Sequence, residues 1–398
     1  MDISYHYFAV KSLAREAGFT EGDAQIIAVF SQFIDDYNAY KFCNYSNIPN
    51  YAKKAPYDIY IDRLWNPFNF NPVTTGFWDM VDLTLLITSR SQKFTVSPFH
   101  FIPQSIERVN AKDFRTKPAT QNDESYISNM LKVAKKNFIE AQVEVSKQHT
   151  LMHIGMLLHT FADTYAHQLF SGYNESCNLV KLKKVINNIT GDDETQKYSD
   201  SIVKWLDKIR KIIPQFTPAI GHMMLNHIPD LTHLSFIMEY PLQGENGNGT
   251  HSRSNTAEFV RASKEIVNFL RSCLGKDSIL DNEWERLSER MARGFLFDIS
   301  NMDEKESIKA LKKHWGETFK DKTYSYEYDR TTVFGGILSE LRQNDQVVRD
   351  DHIQKSMNDD FYRYNAYADE LLIELYGSQP RKEWFNNPSE FDTQSTIL

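Results

Sequence analysis

The sequence predicts an all-α protein, a multi-helix bundle carrying an irregular, aromatic-rich insertion over about residues 40–120. Three observations predict it. Apolar residues recur at i, i+3, i+4 and i+7 spacing through most of the chain, the period of a helix with one buried face. Residues that start and stop helices flank these runs, as Ser4 and Gly18 flank the first. Between residues 40 and 120 the period gives way to aromatic residues and to Asn-Pro, Pro-Tyr and Thr-Gly pairs, which mark turns.

Ser4 is read as the cap of a first helix from about Tyr5 to Ala17. His6, Val10, Leu13 and Ala17 share one stripe of it, so His6 points inward. Thr20 opens a second helix, with Asp23 three residues on as an imperfect capping box. Ile26, Ile27, Phe30, Phe33 and Ile34 give that helix its apolar face, and Asp35-Asp36 end it. Inside the insertion, "FWDMVDLTLLITS" reads as a strand or a buried helix, and "SPFHFIP" as a loop or short extended piece centred on His100. From Asn122 to Ser171 the pattern is helical until "SGYNESC" breaks it. "GDDETQKYSDSIVKWLDKIRKIIPQF" reads as an exposed helix, and "PAIGHMMLNHIPDLTHL" as a short helix followed by an Ile-Pro turn. "QGENGNGTHSRSN", residues 243–255, reads as a flexible loop, a candidate boundary or lid. Three or four amphipathic helices follow, then a loose polar tail. The organisation predicted is a helical core over 1–242, a helical part over 256–380 packed on it, and a tail over 381–398.

With 398 residues, 41% of them hydrophobic, the chain is long enough for a sizeable core. Its net charge of −8 argues against a protein that lives by contacts to a phosphate backbone. Cys43, Cys177 and Cys273 form no CxxC pair, which argues against a disulfide framework or a structural zinc knot. The N-terminus lacks the basic start and apolar run of a signal peptide, and no window is apolar enough to span a membrane. A cytoplasmic location is the expectation.

The 12 histidines are unevenly spread, and their clustering between His149 and His233 is the least random feature of the chain. In "LHTFADTYAHQ", His159, Asp163 and His167 stand four apart. A helix turns about 100° per residue, so all three share one face. Neighbours at this spacing can grip one divalent ion, and a carboxylate between two imidazoles can bridge two. Buried packing histidines are the plainer reading of the same pattern. Asp35 and Asp36 sit where the helix dipole disfavours carboxylates, which hints at a cation or a basic partner. His100 lies between Phe99 and Phe101, and "GHMMLNHIPD" adds His222, His227 and Asp230. Nitrogen and oxygen donors without thiolate suit Zn²⁺, Mn²⁺ or Fe²⁺ in an open, catalytic site. His149, His153, His233, His251, His314 and His352 are read as surface or packing residues.

The order of these residues resembles the superfamily of zinc-dependent phospholipase C and single-strand-specific zinc nucleases. "GMLLHTFADTYAHQ" is similar to the central helix of those enzymes. The fuller set, "DxxxHYFAVxxLAREAGF", "AQIIA…FIDD", "FHFIP", "LHTFADTYAHQLFSG" and "GHxxxxHIPD", looks even more like an uncharacterised bacterial family of domain-of-unknown-function type. The resemblance covers residues 1–40, 97–103 and 150–240 and implies a helical bundle of the zinc phospholipase C type. It implies His6 as ligand to one ion, and Asp35 (or Asp36), His100 and His159 to a second. It implies Asp163 as the bridge, and His167 and His222 on a third, completed by Asn226, His227 or Asp230. The superfamily's N-terminal tryptophan, whose amine is a ligand, is replaced here by Met1, with Asp2 the nearest donor. Two ions fit as well as three, zinc first, with manganese or iron as alternatives.

The function expected is hydrolysis of a phosphoester by a metal-activated water, with Asp163 and Asp35 as the catalytic carboxylates. The substrate is a small phosphoester, a lipid or a single-stranded nucleic acid. Two alternatives belong to other classes. One is a non-catalytic helical protein clamped by metal. The other is a di-metal oxidative enzyme, against which the absence of paired Glu-x-x-His motifs speaks.

Overall fold

The computed structural model describes residues 1–37, 73–76, 92–103, 115–212, 219–242, 247–320, 324–329 and 359–376. "FWDMVDLTLLITS", most of the insertion and the tail lie outside the described residues. The fold is mostly helical. A π-helical turn, Ser4–Ala9, runs into α1 (Val10–Ala17), which Gly18 stops in the left-handed conformation at φ 110°. Ser4 does not act as a cap. Its hydroxyl lies 3.2 Å from the indole nitrogen of Trp315, and the backbone carbonyl of Asp2 opens the turn instead. Helix α2 (Glu21–Asp36) starts where Thr20 accepts a hydrogen bond from the Asp23 amide at 3.1 Å.

His100 sits on helical backbone, where an extended piece was expected. A π-helical turn over Gln92–Val96 leads into α3 (Ser97–His100). The predicted 122–171 helix is two helices, α4 (Tyr126–Glu140) and α5 (Glu144–Ala166), separated at 141–143. From His149 to Ala166 every residue of α5 is buried, so α5 has neighbours on all sides and is the central helix. It packs against α2 at Gly155, where a Cβ would lie only 2.3 Å from the Ile27 carbonyl oxygen.

The all-α expectation is corrected by a three-stranded antiparallel sheet, β1 (Lys181–Asn187), β2 (Leu234–Pro241) and β3 (Asn248–Ser254), in sequence order. In β2, Leu234, Phe236 and Met238 are buried and the residues between them are not, a period of two that helix-seeking misses. The supposed flexible loop at 243–255 supplies β3, and pairing with β2 from Ser235–Ser254 to Pro241–Asn248 overrides its glycine-rich composition. Helix α6 (Thr195–Ile212) lies against β1, and a single 3₁₀ turn, Met223–Leu225, stands where a short helix was read. After β3 come α7 (Asn255–Cys273), α8 (Asp281–Phe295), α9 (Glu304–Thr318) and α10 (Asp359–Tyr376).

Two apolar clusters result. The larger joins α1, α2, α4, α5 and α7 to α10. The smaller packs the inner face of the sheet against Val96, Phe101, Phe170 and Ile220. The histidines in question gather at the seam between them.

Candidate metal centre

The side chains reach the seam from several elements. The π-helical turn presents His6, the last turn of α2 carries Asp35, α3 ends in His100, and α5 carries His159 and Asp163 with His167 at its C-cap. The turn before β2 brings His222 and Asp230. Three groups of donor atoms form, each with its atoms within 4.8 Å of one another: His6, His159 and Asp163; Asp35, His100 and His159; and His167, His222 and Asp230.

Asp163 lies at the centre. Its Oδ1 is 3.2 Å from His6 Nε2, and its Oδ2 is 3.3 Å from both His100 Nδ1 and His159 Nε2. Asp35 Oδ1 stands 3.7 Å from each of the last two nitrogens. On the sheet side, Asp230 is 3.1 Å from His167 Nε2 and 3.2 Å from His222 Nε2. A tetrahedral zinc with bonds of about 2.0–2.1 Å holds its ligand atoms roughly 3.3–3.4 Å apart. The spacings around Asp163 and Asp230 are close to that edge length, and the 3.7 Å spacings of Asp35 are longer.

Hydrogen bonds have similar lengths, and the ring tautomers separate the two cases. A backbone carbonyl can only accept. His159 Nδ1 therefore donates to Ser31 at 2.8 Å, His167 Nδ1 to the His100 carbonyl at 2.6 Å, and His222 Nδ1 to Asn226 at 2.7 Å. His100 uses its other nitrogen, Nε2, on the Thr75 carbonyl at 2.8 Å. Such outer contacts fix ring orientation in metal sites. Burial pushes the His159 and His167 imidazoles down to about 4, so both rings are neutral and their Nε2 atoms carry lone pairs. The His167 lone pair faces Asp230, and that of His159 faces Asp163 and the His100 Nδ1, each of these two at 3.3 Å. His6 lies well below the ordinary histidine range for the same reason, with the neighbouring His159 adding to it. Neither His6 nitrogen has a hydrogen-bond partner. Acceptors facing acceptors in a dry interior are costly unless a cation sits between them.

Two groups with raised proton affinity sit among these atoms. Burial opposes a proton on His100, but Asp163 and Asp35 outweigh it and raise the ring above its ordinary range. The amine of Met1 is 2.5 Å from Asp163 and 3.3 Å from Asp230. Burial opposes its charge as well, and the two carboxylates still lift it to about 11. Asp163 and Asp230 are in turn held well below the carboxylate range, against burial, by the rings and the amine around them. A divalent ion competes with protons for such a donor set.

Not every predicted residue joins these groups. Asp36 hydrogen-bonds Tyr328 and Gln32 instead. The His227 side chain is 76% exposed, with Nδ1 3.9 Å from Asp230. The Asn226 side chain meets Ser201, and its carbonyl orients His222. The sequence reading named Met1 but took Asp2 and not its amine as the nearest donor, and it missed the carbonyls of Ser31 and Thr75, and Tyr328. Backbone acceptors leave no trace in residue identity.

A cavity of about 750 Å³ is lined by Asp35, His100, Asp163, His167, His222 and Asp230, and not by His6 or His159. Its walls include Val96, Phe101, Ile220, Met223 and Ile228. Phe101 stacks on His167 at 4.3 Å, and Gly221, at φ 52°, makes room for that ring, since a Cβ there would fall 2.3 Å from it. No helix among the described residues is long and apolar enough to cross a membrane.

The chain belongs to a family of unknown function, DUF6765, whose profile matches residues 1–375. No curated protein and no solved structure matches it. The likeness to zinc phospholipases and nucleases therefore rests on the quoted residues alone.

Proposed function

We propose that this protein is a metal-dependent phosphoester hydrolase that holds two or three divalent ions, zinc first, at the seam between its two apolar clusters. One observation carries the reading: imidazole nitrogens and carboxylate oxygens from separate segments come within 4.8 Å of one another in three groups beside a cavity. A helix clamp has no need of a cavity above its ligands, and a catalytic site does. Divalent ions, when bound, supply the Lewis acidity that activates water and neutralises a phosphoryl group.

The chain's own residues prepare that site. Asp163 turns one oxygen toward His6 and the other toward His100 and His159, the arrangement a bridging carboxylate needs. His159 offers a single lone pair at Nε2 yet belongs to two of the three groups, so those two compete for it. That competition favours two ions on this chain over three. Asp35, 31% exposed, is the ligand open to the cavity, and Phe101 and Ile220 limit the water around His167 and His222.

The test is elemental analysis of protein purified without chelator, followed by bis(p-nitrophenyl) phosphate, p-nitrophenyl phosphate, single-stranded oligonucleotides and phosphatidylcholine as substrates. About two bound transition metals per chain and turnover of at least one phosphoester are expected. Fewer than one ion per chain would overturn the reading.

A further inference from the structure

The segment read from sequence as a flexible loop contains Arg253, and Arg253 is 6% exposed. Its guanidinium does not line the cavity, and each of its three nitrogens donates a hydrogen bond. Nη1 donates to the carbonyls of Tyr165 at 3.0 Å and Ala166 at 2.7 Å, the last residues of α5 before His167. Nη2 donates to the Pro229 carbonyl at 2.9 Å, one residue before Asp230. Nε donates to Asn255 Oδ1 at 2.9 Å. Asn255 then donates from Nδ2 to the carbonyls of Ile228 at 2.7 Å and Leu231 at 2.8 Å.

The pattern does more than finish a helix. A guanidinium at a helix C-terminus satisfies carbonyls that have no partner within the helix. Here the same planar fork also grips a second segment, and Asn255 completes the grip on that segment. The carbonyls of residues 228, 229 and 231 are all held, and Asp230 lies among them. Of the two segments joined, one carries His167 and the other carries Asp230, whose side chains meet at 3.1 Å. Metal sites tolerate displacements of only about 0.5 Å in their ligands. A turn of 3₁₀ type and irregular chain has no ladder of its own to hold that tolerance.

We infer that Arg253 and Asn255 are positioning residues that set the spacing of the His167, His222 and Asp230 group, holding the sheet-side turn against the end of the ligand helix. This rests on the reading that the group binds an ion.

The experiment measures Zn²⁺ and Co²⁺ uptake by the full chain, by titration and by the visible spectrum of bound Co²⁺. It uses the wild-type protein, Arg253→Met, Arg253→Lys, Asn255→Ser, His222→Ala and the double variant Arg253→Met with His222→Ala. Arg253→Met is expected to weaken one class of ion by about 10–100-fold, the usual cost of losing an outer contact, and to leave the other class unchanged. Arg253→Lys keeps the charge but loses the fork, and an intermediate effect is expected. In the His222→Ala background, Arg253→Met should remove no further ion, because its effect acts through the group already lost. A merely structural role would weaken both classes together, in either background. Should Arg253→Met fail to fold, Asn255→Ser and Arg253→Lys carry the same prediction. Wild-type affinity in the folded variants, or equal loss at both classes, overturns the inference alone. A wild-type protein that takes up neither metal overturns the proposed function, and this inference with it.

Discussion

The two sides of the centre are built differently. On the helical side, His159 and Asp163 stand four residues apart on a helix buried throughout from His149 to Ala166, and His167 continues the spacing at the cap. Geometry there comes from the helix itself. On the sheet side, His222 and Asp230 come from a turn whose backbone is irregular, with Asn226 at φ 52° and ψ −133°. Geometry there is imposed from outside, by Phe101 beside His222 and by Arg253 and Asn255 on the carbonyls around Asp230. Secondary structure provides precision on one side, and buried side-chain hydrogen bonds provide it on the other.

The largest effect that would test this comparison is at its hinge. Asp163→Asn should leave the chain folded, by circular dichroism, and reduce ion affinity by more than about 100-fold, since the residue faces both sides of the cluster. Retention of both ions by that variant would break the comparison. His222→Ala should be more selective, losing one ion of two in elemental analysis while the helical side keeps its own. Gly155→Ala addresses the helical side without touching a ligand. The new methyl would meet the Ile27 carbonyl and push α2 from α5, costing about 1–3 kcal/mol in chemical denaturation. It should weaken the ions bound with Asp35 and spare the sheet side.

The smallest effect comes from His153, on the same helix as His159 but facing no acceptor cluster. It stacks on Tyr367 at 4.2 Å, and Glu370 is 3.9 Å from its Nε2. Burial pushes its imidazole from 6.5 down to about 3. The unfolded chain thus takes up the proton first, so this contribution to stability is complete above about pH 6.5 and is lost as pH falls toward 3. His153→Phe should keep the stack and flatten that part of the acid dependence, read as a smaller drop in the urea midpoint between pH 7 and pH 4. An unchanged acid slope would show that His153 is not buried as a neutral ring.

The comparison also explains what could be read in advance. Helical spacing made His159, Asp163 and His167 stand out, because a period near four both places and positions side chains. The cap at Thr20 and the stop at Gly18 were legible for the same local reason. The sheet was not. Glycine, asparagine and serine dominate 243–255, and only pairing with β2, a contact made in space, turns that segment into a strand. Arg253 accordingly had no signal, since its partners are carbonyls of residues 165, 166 and 229. His100 fell between the two cases. Its ring stood out between phenylalanines, but its helical backbone did not.

His100 also joins the two sides. Its ring faces Asp163 and Asp35, while its backbone oxygen receives the Nδ1 proton of His167. Whatever draws the ring inward also moves the oxygen that steers His167. If ions bind on both sides, occupancy on one would influence the other through this residue, and linkage would make that influence equal in both directions. Calorimetric binding curves should accordingly deviate from those of two independent sites.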